Sequence, residues 1–324
     1  MPQSAGSEQN PYRQALGRLR RTFVFVAFFS ACVNILMLTG PLFMMQVYDR
    51  VLMSASVSTL VGLSIMALAA YVFLGIYDFL RIRLMSRAAY RLDQDLGDLG
   101  FDGWLRAAVR GNPGNRRPLN DLATVRGFLS SPAMLGLFDL PWVPLYLLLI
   151  FMLHPWLGLL TLSGAIVVTV LAVLGQILTE DGYRRAMGAD AAESFLVEQG
   201  YRNAETISAL GMTNRFRSRW RGMHDDGLAS GQDSGDRSEV LSTLSKTFRM
   251  LLQSANLGLA AYLVIQQEIS PGMIIASSII AGKALAPIDQ IIGNWRSVVK
   301  AREAHRRLKE QMNHAAIQVQ KVAL

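Results

Sequence analysis

The sequence predicts an all-α membrane protein: six transmembrane helices with long cytoplasmic helical extensions. Three observations predict it. Apolar runs long enough to cross a bilayer recur along the chain, basic residues gather on one side of those runs, and two polar, helix-patterned stretches separate them. Mean hydropathy is +0.27, with 51% hydrophobic and 17% charged residues in 324. That is more apolar and less charged than an ordinary soluble domain. The formal net charge of +8 reads as basic flanks facing anionic lipid. Nucleic-acid binding is excluded because no basic helix or aromatic module stands apart from the apolar runs. A single cysteine, Cys32, rules out an intrachain disulfide and a multi-cysteine metal site.

Residues 1–21 form a cytoplasmic tail, polar and disordered up to residue 11, followed by an amphipathic elbow helix. In the latter, Arg13, Arg18, Arg20 and Arg21 flank Leu16 and Leu19. The six-span region covers 22–292. Span 1, Thr22–Pro41, has no small-residue cleavage signature and reads as retained. It carries Asn34, costly in lipid unless it faces protein, and is loosened at Gly40-Pro41. Asp49 and Arg50 fall in the outer turn, where pairing, capping and plain solvation stay open. Span 2 begins at Val57 and meets no proline before Pro113. Leu92, Leu96, Leu99, Trp104 and Ala108 continue its helical spacing, so one helix is expected to about Val109. Asp93, Asp95, Asp98 and Asp102 lack calcium-loop spacing and read as a solvated face.

The first intracellular loop, about 81–132, turns near Asn115–Arg126. Span 3, Ala133–Leu153, contains Pro141 and Pro144, which predict a bend or a broken helix. Trp142 and Tyr146 suit an interface with protein or lipid. His154-Pro155-Trp156 is so tight that span 4, Leu157–Leu178, must lie antiparallel to span 3, and His154 reads as a turn residue. The second loop, about 179–247, is nearly balanced in charge and turns near Gly211–Trp220. Its Arg215, Arg217, Arg219 and Arg221 surround Phe216 and Trp220, a partner or headgroup surface in preference to an RNA platform. His224-Asp225-Asp226 has no partner at metal-ligand spacing.

Span 5, Leu244–Val264, places Gln253 and Asn256 near one face for interhelical hydrogen bonds. Span 6, Gly272–Ile292, holds Lys283, Pro287 and Asp289. Three readings of Lys283 stand: lining a path, snorkelling to the cytoplasm, or pairing with Asp289. Asn34, Gln253, Asn256 and Lys283 are the translocation-path candidates, because polar groups are costly in lipid. Pro41, Pro141, Pro144 and Pro287 are the hinge candidates. Ala301, Ala304, Leu308, Met312 and Ala315 carry helical spacing into a cytoplasmic extension, 293–324. The outer connections hold one basic residue, Arg50, which puts both termini in the cytoplasm.

Four stretches carry a family resemblance: Leu36–Leu60, Phe128–Gly158, Asn203–Met212 and Ser278–Leu308. Across roughly 14–310 the chain resembles the transmembrane half of the ABC exporters of bacterial type I secretion, the branch that exports proteases, haemophores and surface-layer proteins. The resemblance implies the type I (type IV fold) ABC exporter architecture in the bacterial inner membrane. It implies a homodimer, with a heterodimer also allowed. Its coupling helices would rest on nucleotide-binding domains, at Arg116, Arg117 and Asp121 in the first loop and at Gly211, Met212, Asn214, Arg215 and Phe216 in the second. It further implies a periplasmic adaptor, an outer-membrane channel and membrane lipids as partners. The substrate would be an unfolded secreted polypeptide with a C-terminal signal, often a calcium-binding repeat protein. The family continues into an ATPase domain at about residue 325, where this chain stops. No G-x-x-x-x-G-K-[ST] is present, since Gly282-Lys283 is followed by Ala284 inside a span. No catalytic, cofactor or metal residue is therefore expected here. ATP and Mg²⁺ are expected in a missing or separate domain, and this chain alone is not an enzyme. A lipid or small-molecule exporter core and an engine-less scaffold are the alternative readings.

Overall fold

The computed structural model describes residues 11–109 and 118–322, without the side chains of 11, 13, 106–108, 234 and 311–322. The described residues form α1 (Pro11–Leu36), α2 (Thr39–Gln46), α3 (Leu52–Ser54), α4 (Val57–Val109), α5 (Pro118–Leu129) and α6 (Pro132–Asp139). They continue as α7 (Val143–Leu153), α8 (Pro155–Arg202), α9 (Ala204–Ala209), α10 (Thr213–Ile265), α11 (Pro271–Gly293) and α12 (Trp295–Val322). Among them, six helical stretches are long and apolar enough to cross a membrane. The long spans leave large apolar side chains uncovered, including Val24, Phe28, Ile65, Met66 and Leu68. Lipid or a second protein surface is the environment that suits such a face.

Helix lengths follow from where breakers fall. The 53 residues of α4 contain no proline, and the helix runs to Val109 as its periodicity requires. Span 4 and the arm after it are one helix, α8, of 48 residues, because Gly175 and Gly188 alone do not end a helix. The segment expected as a separate elbow is not a separate element. Helix α1 passes unbroken from Pro11 into the span, and Tyr12, Ala15 and Leu19 are buried. Span 3 is broken as its prolines require: Leu140–Trp142 is a 3₁₀ turn between α6 and α7. On the outer side Val47–Val51 adopts a π-helical turn. Its Asp49 carboxylate accepts hydrogen bonds from the Gly272 N–H at 2.8 Å and the Ser270 hydroxyl at 2.5 Å. Asp49 thus caps α11, settling the choice left open for that turn.

The core has two parts. On the inner side, Leu92 and Leu96 of α4, Leu122 and Val125 of α5, and Ala304 and Leu308 of α12 pack with Leu19 of α1. These helices reach into water, where burying each leucine contributes roughly 1.5–3 kcal/mol. In the spans, Tyr146 and Ile150 of α7 and Leu157 of α8 pack on Ala260 and Leu263 of α10 and Ala281 and Ala284 of α11. There lipid competes equally for apolar surface, so close packing and hydrogen bonds must supply the preference. Gly164 of α8 shows how close: a Cβ there would lie 2.1 Å from Cδ2 of Leu252 on α10.

Candidate functional site

Two kinds of site emerge, a buried polar knot among the spans and, on the intracellular loops, the exposed tip of the second arm and the half-covered helix α5. The knot centres on Asp139, the last residue of α6. Its Oδ1 accepts from Ser30 Oγ at 2.6 Å, Asn34 Nδ2 at 2.7 Å and Arg81 Nη1 at 2.9 Å, and Arg81 Nη1 also reaches Oδ2 at 3.1 Å. Arg81 Nε donates to Asp78 at 2.7 Å. The Tyr146 hydroxyl reaches both the backbone and side-chain carbonyl oxygens of Asn34, each at 2.9 Å. The Arg81 and Asp139 side chains are only 8% and 10% exposed, so this is a desolvated pair whose remaining valences are filled. Such saturation is what a buried charge requires. The break at Leu140–Pro144 frees Asp139 to turn towards α1 and α4.

Of the path candidates, Asn34 therefore belongs to the knot. Gln253 is exposed on α10, and Asn256 is fully buried with both amide atoms unpartnered among the described residues. Neither makes the interhelical bond expected of it. Lys283 is half-buried and has no hydrogen bond or ion pair among the described residues. Of its three readings, the pairing with Asp289 does not form, because Asp289 pairs with Arg249 of α10. No hydrogen bond joins any of the four to another. Tyr146 is buried between packed helices, the protein side of the two interfaces considered for it. Of the hinge candidates, Pro141 and Pro144 sit in the break itself, Pro287 lies inside α11, and Pro41 is in the first turn of α2.

The tip of the second arm is α9 with its flanks. The backbone reverses at Gly211, φ +65°, and the Met212 N–H closes the turn on the Ile207 carbonyl at 2.9 Å. Tyr201, Leu210 and Met212 are 85%, 67% and 43% exposed, a small apolar patch far from the spans. Asn214 and Arg215 are exposed beside it, whereas Phe216 turns inward against α8. A Cβ at Gly200 would lie 2.4 Å from that ring. Trp220 also turns inward, its Nε1 donating to Glu193 Oε1 at 2.9 Å, with His224 stacked on it and bound to the same oxygen. The arginine-aromatic stretch is thus no open stacking platform.

In the first loop the described candidate segment is α5, packed beside α4 and α12. Arg116 and Arg117 lie outside the described residues. Asp121 is buried, which corrects its reading as a presented contact: Arg307 of α12 holds it through Nη2 at 2.6 Å and Nε at 3.1 Å. The hydrogen bond to Asp121 raises the Arg307 pKa, against a smaller opposing effect of burial. Arg184 of α8 reaches Glu303 of α12 at 3.1 Å, so α12 is clasped by both arms. Leu119, Asn120 and Arg126 remain exposed on α5.

On the outer side, His154 Nδ1 accepts from the Trp156 N–H, and Nε2 faces Glu268 at 2.9 Å. This ties the α7–α8 turn to the α10–α11 turn, the turn role the sequence assigns to His154. No group of three or more metal-ligating side chains occurs among the described residues. The knot was missed in the sequence, although an aspartate just ahead of two prolines in an apolar run, and the first arginine after span 2, were its signals.

Six spans, long cytoplasmic arms and compact tips define the membrane domain of an ABC exporter. The chain matches the ABC transporter transmembrane region over residues 23–284 and belongs to that family. Its relatives include the Type I secretion system ATP-binding protein PrsD of Rhizobium meliloti, 38% identical over 315 residues, 97% of this chain and 54% of that protein. The Exotoxin translocation ATP-binding protein PaxB of Pasteurella aerogenes is 27% identical over 92% of this chain and 43% of its own length. The Alpha-hemolysin translocation ATP-binding protein HlyB of Escherichia coli is 26% identical over the same shares. The chain spans about half the length of these relatives and covers their transmembrane part. It is a multi-pass inner-membrane domain homologous to type I secretion ATP-binding proteins.

Proposed function

We propose that this chain is the membrane-spanning part of a type I secretion exporter, moving unfolded polypeptide with a C-terminal signal across the inner membrane. Two copies stand side by side with both termini in the cytoplasm. A nucleotide-binding domain, in the same or another chain, binds ATP and Mg²⁺ and rests on α5 and on the tip at 204–216. A periplasmic adaptor and an outer-membrane channel receive the polypeptide. The observation that carries this reading is the apolar patch of Tyr201, Leu210 and Met212, held rigidly at the end of two long helices. Such a patch on a polar arm is where a soluble protein docks.

ATP-driven approach of the two motors would draw the tips together. The arms α4, α8 and α10 would carry that displacement to the breaks at Pro41, Pro141 and Pro144 and to Pro287. The clasp of α12 by Asp121 and Arg184 would keep the motor's own tether in step. The test is purification from detergent with the ATP-binding domain present. An ATPase, an adaptor and a secreted protein should travel with the wild type. Leu210→Asp combined with Met212→Asp should release a separately encoded ATPase, or abolish secretion where the ATPase is fused, while the spans stay folded. Recovery of the chain without any ATPase, or unchanged ATPase association and secretion in the double variant, would overturn the reading.

A further inference from the structure

A cavity of about 260 Å³ lies between α8, α10 and α11, at the cytoplasmic end of the spans. None of its lining residues is charged. Leu171, Val173, Leu241, Ile288 and Ile291 supply an aliphatic wall. Gln176, Ser238 and Ser242 stand towards its cytoplasmic end and make no hydrogen bonds among the described residues. Also in the lining, the Ser245 hydroxyl and the Trp295 indole N–H are buried and unpartnered among the described residues. Ser245 is 2% exposed. Each orphaned group is unfavourable until something pairs with it.

The indole N–H can only donate, so the occupant must present an acceptor. A phosphate or carboxylate would need a cation in the wall, and none is there. A neutral ester accepts but cannot donate, which leaves the buried Ser245 hydroxyl oxygen without a donor. A peptide group both accepts and donates, and an extended chain sets an apolar side chain beside each one. The volume is just below that of a small-molecule site, roughly 300–1,000 Å³, enough for a side chain with its peptide groups and far too small for a folded domain.

We infer that this cavity is a subsite for an extended, uncharged segment of polypeptide, its apolar side chain against α8 and α11 and its carbonyl towards Ser245 and Trp295. The inference rests on the exporter reading and deepens it by assigning a recognised segment: apolar, neutral and unfolded.

The probe is a blocked, uncharged ten-residue peptide alternating leucine and serine, with a benzophenone at its centre, photo-crosslinked to the detergent-purified protein. Crosslinks should be saturable, competed by unlabelled peptide, and mapped to residues 171–179, 241–245 and 288–295. At Gly175 an added Cβ meets Leu241 at an ordinary 3.5 Å. Gly175→Ala should therefore leave binding within about twofold, whereas Gly175→Leu, which fills the cavity, should weaken it by about tenfold or more. Ser242→Leu fills it from α10 and serves if Gly175→Leu does not fold. Three outcomes overturn the inference: crosslinks spread along the lipid-facing side of α4; displacement by diacylglycerol but not by peptide, which marks a lipid site; and no saturable signal, which leaves water as the occupant. Failure of the exporter reading is separable. In that case the wild type fails to secrete a C-terminally signalled protein whatever the cavity binds, whereas if only the cavity assignment fails, wild type and Gly175→Leu secrete equally.

Discussion

The two halves of the bundle treat their polar residues in opposite ways. Around Asp139 the side chains of Ser30, Asn34, Arg81 and Tyr146 satisfy one another. Around α10, Ser245, both amide atoms of Asn256 and the Trp295 N–H have no partner among the described residues. Both arrangements sit in spans where water is scarce and an unmade hydrogen bond is expensive. A saturated knot locks α1, α4, α6 and α7 in one relation. An unsatisfied set leaves α8, α10 and α11 with free energy to gain from a partner, a water or a change of packing. The first half is thus built as a fixed frame and the second as the part that responds.

The sharpest way to break that contrast is to remove the centre of the knot. Asp139→Leu leaves the Arg81 guanidinium buried with only the Asp78 carboxylate and the neutral Ser30 hydroxyl, 3.0 Å from Nη1, beside it. Stability should fall by about 3–5 kcal/mol, towards the low end because the Asp78 side chain is 39% exposed and remains available. Arg81→Met added to Asp139→Leu should restore most of the loss, since no charge is then stranded. Thermal unfolding in detergent measures both. A double variant no more stable than the single one would show that the knot is not held by charge.

Next in size is the close approach in the responsive half. Gly164→Ala forces the buried Leu252 side chain aside and should cost about 1–3 kcal/mol. Leu252→Ala in the same protein should relieve it. If Gly164→Ala is silent on its own, α8 and α10 are not in tight contact and the account of their packing fails.

The third comparison sets one asparagine against another. Asn34→Leu strips Asp139 and Tyr146 of partners and should destabilise by about 1–3 kcal/mol. Asn256→Leu removes two unsatisfied atoms and should be neutral or stabilising by about 1 kcal/mol on the same grounds. Equal effects from the two would erase the distinction between the halves.

Sequence periodicity carried the span count, the run of α4 to Val109 and the break in span 3, because these depend on neighbours in the chain. It missed the partners. Arg81 meets Asp139 across 58 positions and Asp121 meets Arg307 across 186, and no local pattern encodes such pairings. Cost in lipid put Asn34 and Asn256 forward as path candidates, and both are buried among the helices. It could not say that one is saturated and the other orphaned, since that depends on what three other helices bring. For Asp121 the signal misled: a charged residue in a loop reads as exposed until a helix from far along the chain covers it.

The smallest effect concerns the inner end of the frame, where α12 lies on α1. The Tyr12 hydroxyl meets His305 Nδ1 at 2.6 Å, with the rings edge to face. Burial, and then the Lys309 charge, lower the His305 pKa below its ordinary value. The undocked helix therefore takes up a proton more readily than the docked one. Docking is unaffected above pH of about 6.5 and weakens as pH falls below it, levelling off once the docked histidine is protonated too. Tyr12 has the opposite sign: burial pushes its hydroxyl up to about 12, so its contribution is whole below pH 10 and is lost between there and about 12. Because His305 is open to solvent on one side, the acid limb should be shallow. A spin-label distance between α1 and α12, followed against pH, reads both limbs. His305→Gln should abolish the acid limb and leave the alkaline one, and Tyr12→Phe should do the reverse. An acid limb that survives His305→Gln would place the titrating group elsewhere and sink the assignment to the Tyr12–His305 contact.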